Sequence, residues 1–138
     1  METRVVLPPE PTSPRRARQH VSAALREAGL DDLVDDASLL VSELVTNALL
    51  HARSDAVVAL TATAATVRVA VADRSPRAPV RRRHGADATT GRGLRLLEQL
   101  ALRWGVDAAP DGKTVWFELP TDGVRPTPAL QAERVQVP

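Results

Sequence analysis

The chain contains no cysteine, which excludes disulfides and thiolate metal sites and fits a reducing compartment. Aromatic residues are 2% and tyrosine is missing, so the stacking platforms of single-stranded nucleic-acid binders are not there. Charge of one sign is lacking too: 18 basic and 17 acidic residues leave +1. No overall field then draws the protein to nucleic acid or to a membrane, and neither is an expected partner. Lysine is nearly absent, with Lys113 the only one among many arginines. No apolar run approaches the roughly 18 residues of a membrane span. Met1–Pro9 has neither the apolar core nor the small-residue cleavage site of a signal peptide, so the cytoplasm is the expected location. The remaining composition, 43% hydrophobic and 25% charged over 138 residues, suits one globular domain with a sizeable core.

Periodicity divides that domain. Thr3–Leu7 is β-prone and is stopped by Pro8 and Pro9. Ser13-Pro14 predicts a helix start, with serine as N-cap, and Ala17, Val21, Ala24, Leu25 and Ala28 form the apolar stripe. Gly29 ends that helix. Asp31 and Asp32 open a second one that runs to about His51 or Ala52. Val57–Thr63 and Thr66–Ala72 alternate as the strands of a hairpin. From Ser75 to Thr90 the composition becomes proline-, arginine- and glycine-rich, a long loop of the kind that is usually functional or disordered. Gly91-Arg92-Gly93 opens a third helix, and Trp104–Ala108 and Thr114–Leu119 are further strands. The order predicts an α+β fold: a two-layer sandwich with three helices on one face of a mixed, mostly antiparallel sheet. The domain is expected over residues 1–120, and 121–138 as a flexible proline-rich tail.

The second helix carries the most information. Val34, Ala37, Val41, Leu44, Val45 and Ala48 fall on one face. Glu43, Asn47 and His51 stack four residues apart on the other, flanked by Leu39, Leu40 and Leu50. Such a front is expected to be covered as well as the back. A Glu and an Asn one turn apart there either wall a pocket or simply face water. Asp73 at a strand end either accepts an amino hydrogen from a base or caps a turn. Gly91 and Gly93 either leave helix N–H groups open to an anion or merely end a flexible loop. Arg81–Arg83 and Arg92 would offset phosphate charge if the loop closes over it, and otherwise form a solvated run. The arginines of the first helix, Arg15, Arg16, Arg18 and Arg26, are a solvated basic face or a docking face. Two other motifs fail. Gly112-Lys113-Thr114 lacks the upstream glycine of a P-loop and enters a strand, and Gly91-x-Gly93 does not follow the first strand of a βαβ unit. The three histidines are not spaced as metal ligands.

In combination, Ser42-Glu43-Leu44-Val45-Thr46-Asn47-Ala48, Asp73-Arg74-Ser75-Pro76, Thr90-Gly91-Arg92-Gly93-Leu94 and Lys113-Thr114-Val115-Trp116-Phe117 resemble a known family. They are similar, in order and spacing, to the N box, the two glycine boxes and the closing strand of the anti-sigma-factor serine/threonine kinases. Those kinases belong to the GHKL superfamily and share the histidine-kinase-like (Bergerat-type) ATP-binding fold. Each motif alone is weak, and four in register over about Val5 to Leu119 are fairly specific. The resemblance implies an ATP- and Mg2+-dependent kinase. Glu43 would be its catalytic base, Asn47 its metal ligand and Asp73 its adenine contact, supported by Thr114. Ser75 lies in the first glycine box, where many relatives have Gly, and its side chain would narrow the adenine pocket. Gly91, Arg92 and Gly93 would meet the phosphates at the end of a lid over about 76–90. The implied partners are a sigma factor and/or an anti-sigma antagonist, with a second copy of the chain in a homodimer as a further implied partner. The competing reading is a non-catalytic regulator whose partner binding depends on nucleotide.

Overall fold

The computed structural model describes residues 1–74, 95–122 and the backbone of 136–137. Strand β1 (Glu2–Leu7) leads to helix α1 (Ser13–Glu27), a 3-10 turn (Asp31–Leu33) and helix α2 (Val34–His51). Strands β2 (Ala56–Ala62) and β3 (Thr66–Asp73) form the expected hairpin. Residues 95–100 are helical (α3) and precede β4 (Arg103–Ala109), β5 (Gly112–Pro120) and the short β6 (Gln136–Val137). The sheet order is β1-β2-β3-β5-β4-β6. All neighbours are antiparallel except β4 and β6. The architecture is the α+β sandwich that the hydrophobic patterning predicts.

Period-2 alternation sorts the strands into two faces. Leu60, Val69, Phe117 and Trp104 stand side by side across β2, β3, β5 and β4, each at most 3% exposed. The helices cover this face with Ala17, Val21 and Leu25 from α1, Ala37, Leu40, Val41, Leu44, Val45 and Ala48 from α2, and Leu97 from α3. Each fully buried Val, Leu or Phe contributes about 1.5–3 kcal/mol before chain entropy is charged. The opposite face is mostly polar or small, but Trp116 is buried on it. The Arg68 guanidinium lies 4.0 Å from the Trp116 ring centroid, and Arg68 Nε donates to Glu118 Oε2 at 3.0 Å.

The helix ends follow local chemistry, with one correction. Ser13 is not the N-cap. Thr12 occupies that position without a side-chain cap bond, and the buried Ser13 hydroxyl donates to the Pro8 carbonyl at 2.5 Å. That bond adds to the backbone bonds closing the turn before α1, from Glu10 N–H to the Pro8 carbonyl at 2.8 Å and from Ser13 N–H to the Glu10 carbonyl at 3.0 Å. The other end is as expected. Gly29 takes φ +75°, Leu30 N–H donates to Leu25 O at 2.8 Å, and Gly29 N–H to Arg26 O at 3.0 Å. Those two bonds are the Schellman pattern, which needs a left-handed residue at C′. Past the end of α2, Arg53 holds the same region, φ 53°, without being glycine. The front of α2 is not fully covered: Leu40 turns into the core, but Leu39 and Leu50 are 40% and 53% exposed.

Candidate functional site

Asp73 ends β3 on the helix-covered face, where alternation would place an apolar residue. Its side chain is 3% exposed. An ionised carboxylate that deep requires compensation. The antiparallel register puts Lys113 directly across from it, and Lys113 Nζ lies 3.6 Å from Asp73 Oδ2, itself 14% exposed. The approach that allows this depends on Gly112, where a Cβ would collide with the Asp73 carbonyl oxygen. Next to Asp73, the Arg74 N–H donates to Ser54 Oγ at 3.0 Å. That bond ties the end of β3 to the link between α2 and β2.

The same link sets the position of α2. The helix packs on β2 and β3 and connects through residues 52–55 to the start of β2, where Val57 pairs with Ala72. The last turns of α2 therefore lie at the Asp73 end of the sheet. Glu43 and Asn47 are both half-buried on that helix, one turn and about 6 Å of rise apart. Asn47 Oδ1 is buried and has no hydrogen-bond partner among the described residues. Thr46, beside it, turns its hydroxyl back to Ser42 O at 2.7 Å. A buried, unpaired acceptor costs on the order of 1–3 kcal/mol, so Asn47 is ready for a donor or a cation. An amide oxygen is the hard donor that Mg2+ prefers, so the residue fits that ion. Among the described residues no three of His, Asp and Glu converge as a metal cage, and Mg2+ would draw its other ligands from phosphate and water.

Thr114 does not share this face. It registers with Ala72 and Asp107, one position off the Asp73–Lys113 pair, and a one-residue offset turns a side chain to the other side of the sheet. Lys113, not Thr114, is the β5 residue beside Asp73. Ser75, Gly91, Arg92, Gly93 and the expected lid over 76–90 lie outside the described residues. Two neighbours of the site were not legible in advance. Ser54 lacks any motif. Lys113 stood inside the failed P-loop match and at the head of the closing-strand motif, neither of which pairs it with Asp73; the strand register does.

A separate concavity of about 390 Å³ opens between α1 and α2, lined by Arg15, Arg18, Arg26, Ser22 and Ser38 among others. Arg18 Nη1 also donates to Ser42 Oγ at 2.9 Å. Neither Glu43, Asn47 nor Asp73 lines this groove, so the basic face of α1 and the Asp73 region are distinct surfaces.

The family of histidine kinase-like ATPase domains matches residues 7–119, from the last residue of β1 to the penultimate residue of β5. No curated protein matches the chain. Among the described residues no helix is long and apolar enough to cross a membrane.

Proposed function

Since the chain belongs to the histidine kinase-like ATPase domain family, of the GHKL superfamily, and is an ATP-binding domain, we propose that it is a protein serine/threonine kinase. Its substrate is an anti-sigma antagonist, and it also binds a sigma factor. The observation that carries the reading is the unpaired, buried Asn47 Oδ1 one turn beyond Glu43. The finer assignment draws its support from the resemblance of the N box, the glycine boxes and the closing strand to the anti-sigma-factor kinases.

In this reading Asp73 accepts a hydrogen from the adenine amino group. Asn47 would hold Mg2+, which would screen phosphate charge when bound. Gly91 and Gly93 donate backbone N–H groups to the phosphates, and Arg92 adds charge. A serine or threonine hydroxyl of the partner attacks the γ-phosphorus as the bond to the bridging oxygen breaks, releasing ADP. Glu43 takes the hydroxyl proton. Positioning and charge stabilisation carry most of the rate. The cytoplasm is the setting, and a homodimer is compatible with it.

The test is transfer from γ-labelled ATP to proteins co-purified from the native host, with phosphoamino-acid analysis. Labelled serine or threonine on a small partner is expected, and Glu43→Ala should keep ATP binding and lose transfer. Normal transfer by Glu43→Ala removes Glu43 from the role of base. ATP-dependent partner binding with no transfer replaces the kinase by the non-catalytic regulator.

A further inference from the structure

Asp73 does not sit alone at the end of β3. The chain places its only lysine across from it, on the same face, 3.6 Å away and 14% exposed. The distance is that of an ion pair and is longer than a close charge-assisted hydrogen bond. A carboxylate offers about four acceptor sites on its two oxygens, so this contact offsets its charge without exhausting them. The ammonium likewise keeps N–H groups to donate, since it carries three and has no planar fork that would lock onto both oxygens. An arginine at 113 would engage Asp73 bidentately, and this chain has arginine almost everywhere else.

An acceptor and a donor side by side match a particular base edge. Adenine presents an amino donor flanked on both sides by ring-nitrogen acceptors, N1 and N7. A lone carboxylate reads only the amino group. We propose that Lys113 is a specificity-determining residue that donates to the ring nitrogen beside the amino group while Asp73 accepts from that group. This rests on the ATP-site reading above and extends it to a residue of β5. The Gly112-Lys113-Thr114 segment is then part of a nucleotide site, through base recognition and not through phosphate.

The experiment is a cycle between residue and ligand atom. The full chain and Lys113→Met are titrated with ATP, 1-deaza-ATP and 7-deaza-ATP, and cooperative melting checks the fold. The unaltered protein should lose about ten- to a hundredfold in affinity for one of the two deaza analogues, the usual scale of a hydrogen bond to a charged group. Lys113→Met should lose a similar factor on ATP and nothing further on that analogue. If Lys113→Met does not melt cooperatively, Lys113→Arg, which keeps the charge but ties up the carboxylate, replaces it with the same expectation. Equal affinity for all three ligands in the unaltered protein, or losses that simply add in the variant, overturns the proposal and leaves the ATP site standing. Failure of the unaltered protein to bind ATP at all overturns both.

Discussion

Gly105 lies against the Trp116 indole: a Cβ at 105 would come within 2.6 Å of the ring at Cζ2 and 2.9 Å at Nε1. The ring cannot easily retreat, because Arg68 stacks on it and is itself held by Glu118. Gly105→Ala should destabilise the fold by about 1–3 kcal/mol, the usual cost of overpacking. Thermal melting measures it, and an unchanged midpoint would show that the ring yields freely.

Gly112→Ala should do more. Its Cβ meets the backbone of Asp73, which cannot rotate aside, so the ends of β3 and β5 must separate. Stability should fall, and in the fraction that still folds ATP affinity should fall with it, because Asp73 and Lys113 move apart. Isothermal titration beside a denaturant melt separates the two effects. A destabilised variant with native ATP affinity would contradict the coupling.

Asn47→Ala should behave oppositely for folding and function. The substitution removes a buried oxygen that has no partner among the described residues and puts the best helix former inside α2, worth a few tenths of a kcal/mol or more. The melting temperature should stay level or rise, while Mg2+-dependent nucleotide binding disappears. A clear drop in melting temperature would mean that Asn47 is a structural residue.

Arg53→Gly should stabilise the protein by up to about 1 kcal/mol, since φ 53° strains a residue with a Cβ. Chemical denaturation gives the sign directly. A loss would imply that the Arg53 side chain makes a contribution larger than its backbone strain.

Ser13→Ala should cost about 1 kcal/mol, one hydrogen bond's worth. The Pro8 carbonyl would keep only the Glu10 N–H, at 2.8 Å. If Ser13→Ala and Thr12→Ala are equally harmful, the assignment of the Ser13 hydroxyl to Pro8 is wrong.

The layers of this fold were legible because the core obeys simple periods. Val58, Leu60, Val67 and Val69 alternate, the α1 stripe recurs every three to four residues, and Gly29 is a turn residue with a mechanism. The misses have a common cause, which is that they depend on neighbours distant in sequence. The front of α2 looked coverable from one helix alone, but whether Leu39 and Leu50 are covered depends on what packs there. Thr114 looked like a partner for Asp73 because it belongs to the right motif, yet register decides by a single residue. Ser13 looked like a cap because Ser-Pro is a helix-start dipeptide, and the Pro8 carbonyl competed for its hydroxyl. Glu43, Asn47 and Asp73 carried signal as residue types at motif spacing. Lys113 and Ser54 acquired meaning only through cross-strand and loop contacts.

Lys113 has a further use that follows from its being solitary. The chain has no other ε-amine, so apart from the α-amino group of Met1 an amine-directed reagent has one target. That target is 14% exposed and sits beside Asp73. Acylation at this position can be counted by intact mass alone, without mapping peptides. The unmodified protein thereby carries a built-in chemical reporter: the rate at which a second mass step appears, with and without nucleotide, reads occupancy next to Asp73 without an engineered label.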